Sequence, residues 1–220
     1  PGIQNFRDLG GYPSYSTKKQ VRWGMIYRSA EIDSLECYSR RELRNLGIKT
    51  LIDLRASSET GRQSPLQKEF NVVHIPLATG DMENILKGIR EEKIKSDTVY
   101  RMVEQMNRDL IDKYTTEYRQ IFDILLDKNS YPVVIHCSSG KGRTGIVSAL
   151  VLAALGINED IIMEDYRLSN DYFNIPSASK DAYQLPARSQ EAITTLFSAR
   201  EDFLNAAKEE AERRYGDIDS

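Results

Sequence analysis

"VVIHCSSGKGRTGIVSALVLAALG", Val133 to Gly156, decides how the rest of the chain is read. Val133 to His136, entered through Tyr131 and Pro132, is the short apolar and β-branched run of a buried strand. From Thr144 the string is apolar nearly all round and ends at Gly156, as a buried central helix with a glycine stop should. Between the two lies a loop with glycines at 140 and 142, opened by Cys137 and closed by Arg143.

Working outward, "SRRELRNLGIKTLIDLR" reads as a short helix stopped near Gly47 and then a buried strand from Lys49 to Leu54. "NVVHIPL", Asn71 to Leu77, reads as another strand. A polar insert spans 78–97, and a long helical pattern runs from about Thr98 to Lys128. Within the insert the charge run "REEKIK" is a solvated face. "NEDIIMEDYRLSN" offers a cap at Asn158 and a helix, and "SQEAITTLFSAREDFLNAAKEEAERRYG" one last amphipathic helix. Strands scattered among many helices predict an α/β fold of three layers, a small central sheet with helices on both faces. The strand order stays open.

At 220 residues the chain is predicted to be a single domain, 1–220. A net charge of -3 gives no general attraction to nucleic acid or an anionic membrane, so any basic site is local. No apolar run approaches the roughly 20 residues that span a bilayer. Cys37 and Cys137 show neither a disulfide framework nor a zinc spacing. Cys37 reads as a structural thiol. The sequence opens at Pro1 without a methionine, which leaves open a cytoplasmic protein or one secreted or periplasmic after loss of a leader. Oligomeric state is open as well.

A cysteine followed by five residues and an arginine is not specific alone; the strand, the two glycines and the immediate helix carry the weight. That arrangement lets the backbone N–H groups of Ser138, Ser139, Gly140, Lys141, Gly142 and Arg143 converge, backed by the positive end of the helix. Such a nest stabilises a Cys137 thiolate and then the oxygens of a phosphoryl group. Arg143 holds two of those oxygens through a planar guanidinium. Thr144 is placed to hydrogen-bond the sulfur and ease its departure from a phosphocysteine. His136 orders the loop. An ATP-binding loop is excluded, since it would need glycine at 135 and serine or threonine at 142, where Ile135 and Gly142 stand.

"HCSSGKGRTG" resembles the signature loop of the cysteine-dependent tyrosine and dual-specificity phosphatases. "NFRDLGGY", "VRWGMIYRSAEI", "GIKTLIDLR" and "DYRLSN" resemble, in order, the bacterial tyrosine phosphatases with the NFRDLGG opening motif, so the likeness spans about residues 4 to 172. It implies that family's fold, a phosphocysteine intermediate, and neither metal nor cofactor. It also implies a phosphorylated protein substrate, with phosphoinositides or inositol phosphates as the alternative. That family commonly has GKDRTG, with an aspartate proposed as acid where Gly142 stands; the GKGRTG here resembles the tensin-homologue lipid phosphatase.

The general acid is therefore sought elsewhere. Asp81, in the loop following "HIPL", is the first candidate, on an insert (78–97) that could serve as a lid. Asp53, at the carboxyl end of a strand, is the rival, with Arg55 as its partner or a second phosphate contact. Asp8 with Arg7 reads as a structural ion pair. Lys141 is expected to raise the positive potential at the loop and favour strongly anionic substrates. A phosphate-binding module that has lost its acid is a third reading.

Overall fold

The structure is a computed structural model that describes residues 2–32, 37–60, 65–175 and 181–217. Its centre is a five-stranded sheet in the order β1-β4-β7-β5-β6, built from β1 (Arg7–Asp8), β4 (Ile26–Ser29), β5 (Thr50–Asp53), β6 (Asn71–His74) and β7 (Val133–His136). All pairings are parallel except β1 with β4 at one edge. β2 (Pro13–Ser14) and β3 (Lys19–Gln20) form a separate hairpin.

The three inner strands are buried along their whole length, as parallel strands covered on both faces must be. Alternation splits their side chains between two cores. Val133, Ile135 and Ile52 enter the larger one; Val134 and Leu51 enter the smaller. The smaller is closed by α1 (Cys37–Asn45) through Leu43. The larger holds α2 (Met82–Arg90), α3 (Ser96–Lys113), α4 (Thr115–Leu126), α5 (Arg143–Ala154), α6 (Glu159–Arg167), α8 (Ala187–Phe197) and α9 (Glu201–Tyr215), with the short α7 (Ser169–Tyr172) following α6. The predicted three-layer α/β architecture is therefore present.

α5 is the central helix expected after the loop, and Gly156 ends it with φ +76°, its N–H donating to the Ala153 carbonyl at 2.9 Å. Two expected single helices are each two. The pattern from Thr98 to Lys128 breaks at Tyr114, where the freed Leu110 carbonyl accepts from the Tyr118 hydroxyl at 2.6 Å. The last helix breaks at Ser198 to Arg200, where the Asn170 amide pairs with both the N–H and the carbonyl of Ala199, at 2.8 Å each. The strand predicted to Leu77 is assigned only to His74, although Leu77 N–H still bonds the Leu54 carbonyl at 3.0 Å. β1 to β4 were not expected. β4 was masked by Arg28 and Ser29, polar residues that are fully buried.

Candidate active site

The loop leaves the carboxyl end of β7, the middle strand, with Cys137 buried at 1% exposure. Three of its carbonyls are drawn outward. Ser138 O accepts from Glu31 N–H at 3.0 Å, Ser139 O from Asn5 Nδ2 at 3.2 Å, and Gly140 O from Asn5 Nδ2 at 3.0 Å and Arg28 Nη2 at 2.6 Å. Since a peptide's N–H points opposite to its carbonyl, the following amides face the sulfur side. Gly140 N–H donates to Cys137 Sγ at 3.3 Å. Only glycine fits there: φ is +70°, and a Cβ would lie 2.6 Å from the Ser29 carbonyl.

Arg143, first residue of α5, returns its side chain to the loop. Its terminal nitrogens hold the Glu59 carboxylate end-on, Nη1 to Oε1 at 2.5 Å and Nη2 to Oε2 at 2.7 Å. Nη1 also donates to the Leu77 carbonyl at 3.2 Å. Burial works against the charge, yet the Glu59 hydrogen bond and the neighbouring Cys137 leave the Arg143 pKa raised. Burial likewise opposes the Glu59 carboxylate, but Arg143 and the Ser138 hydroxyl, which donates at 2.5 Å, hold its pKa below the usual value. Sequence reasoning missed Glu59. It stands in the turn "ASSE" after β5, where Ala56 N–H donates to its Oε1 at 3.1 Å. Only the adjacency of β5 and β7 brings that turn beside the loop.

The other sequence candidates are distributed as follows. Asp53 and His136 are register partners at the ends of β5 and β7. Asp53 is buried and gripped by Arg55, Nε to Oδ1 at 3.0 Å and Nη2 to Oδ2 at 2.8 Å. Against the upward push of burial, Arg55 and His136 keep the Asp53 pKa low. Arg55 is thus a partner of Asp53, and it also reaches Glu31 at 3.2 Å. Asp81 is the N-cap of α2, accepting from Asn84 N–H at 3.0 Å. Thr144 Oγ1 is buried without a hydrogen-bond partner among the described residues. Asp8 and Arg7 do not pair as expected: Asp8 accepts from the N–H groups of Gly10 and Gly24, and Arg7 pairs with Asp165. The side chain of Cys37 lies outside the described residues.

Lys141 also departs from expectation. Its ammonium is buried, donates to the Leu196 carbonyl at 2.8 Å and lies 5.4 Å from the centre of the Phe203 ring. Burial pushes its pKa down to about 7, against the pull of Cys137. It adds no exposed positive charge at the mouth of the loop.

A cavity of about 60 Å³ opens onto Cys137 and Arg143. Its outer wall is largely apolar, with Met82 of α2, Val103, Met106 and Leu110 of α3, and Leu196 and Phe197 of α8, but Asn107 of α3 and Lys141 of the loop line it too. Thr79 also lines it, so the segment carrying Asp81 forms part of the wall. α2 is itself anchored, by buried Ile85 and Ile89 and by the Ser189 hydroxyl donating to the Ile89 carbonyl at 2.8 Å. Among the described residues no helix is long and apolar enough to cross a membrane.

The model of the tyrosine phosphatase family matches residues 1–220. The chain is 30% identical, over 261 aligned positions, to the triple specificity protein phosphatase PtpB of Mycobacterium tuberculosis, covering 99% of this chain and 90% of that one. It is 26% identical over 148 positions to a tyrosine-protein phosphatase of Nostoc commune, covering 66% of this chain and 48% of that one. Among solved structures it is similar to the core catalytic domain of the PP-IP phosphatase SIW14 from S. cerevisiae, at a TM-score of 0.42 and 16% identity, covering 84% of this chain and 86% of that one.

Proposed function

Because the chain belongs to the tyrosine phosphatase family, we propose that it hydrolyses phosphomonoesters in two steps through Cys137, with phosphotyrosine in proteins as substrate. The Cys137 thiolate attacks phosphorus in line while the loop amides and Arg143 stabilise the equatorial oxygens. Asp81 protonates the departing oxygen, a water then hydrolyses the phosphocysteine, and Thr144 Oγ1 hydrogen-bonds the leaving sulfur. Asp81 is preferred to Asp53 because it stands between Thr79 and Met82, which both line the cavity, whereas Asp53 is occupied by Arg55. The insert 78–97 would act as the wall that closes over the substrate.

One observation carries the choice of substrate: the apolar wall above the loop. An aromatic ring is stabilised against Met, Val, Leu and Phe side chains, while the many hydroxyls of an inositol ring would be stripped of water with only Thr79 and Asn107 on the outer wall to replace it. Lys141 lines the cavity, but its Nζ is engaged by the Leu196 carbonyl rather than offered to a polyanionic head group.

The test is phosphate release from a matched panel of phosphotyrosyl peptide, phosphoseryl peptide and phosphatidylinositol phosphates, with Cys137→Ser as the blank. Release from the phosphotyrosyl peptide first, abolished in the variant, is expected. Preference for the lipids would overturn the substrate class. Binding without release from any member would reduce the protein to a phosphate-binding module.

A further inference from the structure

Exposed apolar side chains are usual on a protein surface when they are scattered singly. At the end of the sheet opposite the loop, three belong to one hairpin and the helix end it rests on. Trp23, three residues before β4, is 64% exposed, Tyr15 in the turn between β2 and β3 is 65% exposed, and Leu155 at the end of α5 is 45% exposed. The Ser14 hydroxyl seats the hairpin by donating to the Gly156 carbonyl at 3.0 Å, and a Cβ on Gly156 would lie 3.0 Å from the hydroxyls of Ser14 and Ser16. α5 is 12 residues long, so this surface stands about 18 Å from Arg143 at the start of the helix.

Charge on the hairpin runs against that of the chain. Lys18, Lys19 and Arg22 are exposed, and the 22 residues from Leu9 to Ala30 hold no carboxylate, in a chain of net charge -3. Of the neighbouring acids, Asp8 accepts from the N–H groups of Gly10 and Gly24, and Glu159 at the start of α6 pairs with Lys208 at 2.6 Å. Asp160, exposed next to Glu159, still leaves the balance positive. Trp23 is held rather than free: its ring lies against the Gly10–Gly11 turn, where a Cβ on Gly11 would collide with it. A ring fixed on one side and open on the other is presented at little entropic cost.

We propose that the β2–β3 hairpin docks the protein on an anionic lipid surface, with Lys18, Lys19 and Arg22 against the head groups and Trp23, Tyr15 and Leu155 in the boundary layer beneath them. Trp and Tyr suit that layer because each has an apolar body and a polar tip. Each basic residue near such a surface strengthens binding about 5-fold. A projecting hairpin enters a fluid layer without needing the matching groove that a protein partner must supply, and a second copy of the chain would set these cations against themselves across a two-fold axis. Docked this way, the mouth of the loop faces the water, so docking and turnover are separable. The proposal does not depend on the phosphatase reading.

Trp23 is the chain's one tryptophan, so its fluorescence reports the surface directly. The probes are vesicles of phosphatidylcholine with about 30% phosphatidylserine, against phosphatidylcholine alone. Blue-shifted emission and co-flotation are expected with the anionic vesicles only, and both should fade as salt rises to about 0.5 M, where screening shortens to a few ångströms. The K18S/K19S/R22S variant should bind about 100-fold more weakly, with its thermal midpoint and its turnover of a soluble phosphotyrosyl peptide unchanged. W23A, read by flotation, should bind roughly 10-fold more weakly; Y15S replaces it if W23A unfolds. Absence of flotation with the anionic vesicles, or flotation that the triple variant retains, overturns the proposal. A blue shift without vesicles that grows with protein concentration overturns it by making this face a contact between copies of the chain. A shift with soluble polyglutamate and none with vesicles overturns it in favour of an acidic protein.

Discussion

Arg28 Nη2 donates to the Gly140 carbonyl at 2.6 Å while Nη1 of the same residue holds Asp165 Oδ2 at 2.8 Å. The loop after β7 is thus fastened to α6 through a fully buried arginine. Asp165 serves a second guanidinium, Arg7 Nε at 3.5 Å, and accepts from the Tyr12 hydroxyl at 2.8 Å. Burial and then Arg28 bring the Arg7 pKa down to about 10. Two buried cations on one carboxylate make that carboxylate indispensable, since an uncompensated buried charge costs about 3–5 kcal/mol. Asp165→Asn should therefore lose about 3–5 kcal/mol in urea unfolding. Arg28→Lys, which keeps the charge but not the two-way reach, should lose less stability and weaken phosphate binding. A wild-type urea midpoint for Asp165→Asn would refute the first expectation.

Asp81 and Asp53 give opposite signatures as asparagines. Asn is as good an N-cap as Asp, so Asp81→Asn should keep α2 and the thermal midpoint. If Asp81 is the acid, the variant should lose about 10²-fold in kcat on an alkyl phosphate and far less on an activated aryl phosphate, whose oxygen leaves without a proton. Asp53→Asn leaves Arg55 buried beside a neutral amide and should lower the thermal midpoint, with activity falling on every substrate alike. Equal activity of Asp81→Asn on both esters would remove Asp81 from the chemistry.

The loop and its two flanking elements were legible because one strand, two glycines and one helix follow each other within 24 residues, where local rules suffice. What stayed hidden depends on distant partners. Ile26 to Ser29 pairs with β7 through backbone bonds, yet Arg28 and Ser29 break its apolar pattern, Arg28 to reach the Gly140 carbonyl and Asp165, and Ser29 with its hydroxyl turned to the Ala30 carbonyl. Glu59 looks like any polar turn residue until strand order places β5 next to β7. Lys141 was assigned a direction that sequence does not contain: the loop fixes its Cα, but the Leu196 carbonyl and Phe203, 55 and 62 positions on, decide where the ammonium goes. The helix breaks at Tyr114 and Ser198 were equally invisible, since helical periodicity continues on both sides.

Lys141 gives stability a pH dependence of known sign. Its ordinary pKa of 10.5 falls to about 7 in the folded protein through burial, with Arg200 pushing the same way and Cys137 opposing. Between those values the unfolded chain holds a proton that the folded one has released, so stability rises with pH across that window. The penalty is fully present below pH 7. The slope from one such group is at most about 1.4 kcal/mol per pH unit. Lys141→Met removes it, so the unfolding free energy of wild type minus that of the variant should climb from pH 7 to pH 10. A difference independent of pH would show that the ammonium is not held out of water.

Gly142 is the loop position with room to spare. It is the N-cap of α5, its φ of -76° suits any L residue, and a Cβ there meets nothing within 4 Å. Gly142→Asp should fold without strain. Reduced freedom of the unfolded chain and the capping carboxylate together should raise stability by about 0.5–1 kcal/mol. Gly142 lines the cavity that opens onto Cys137 and Arg143, so if phosphate binds there as proposed, one extra negative charge a few ångströms from a dianion should weaken inorganic phosphate binding about 10-fold. Thermal unfolding and phosphate calorimetry on the one variant check both halves. A lower thermal midpoint would mean the loop is closed at 142, and unchanged phosphate affinity would place the anion away from the start of α5.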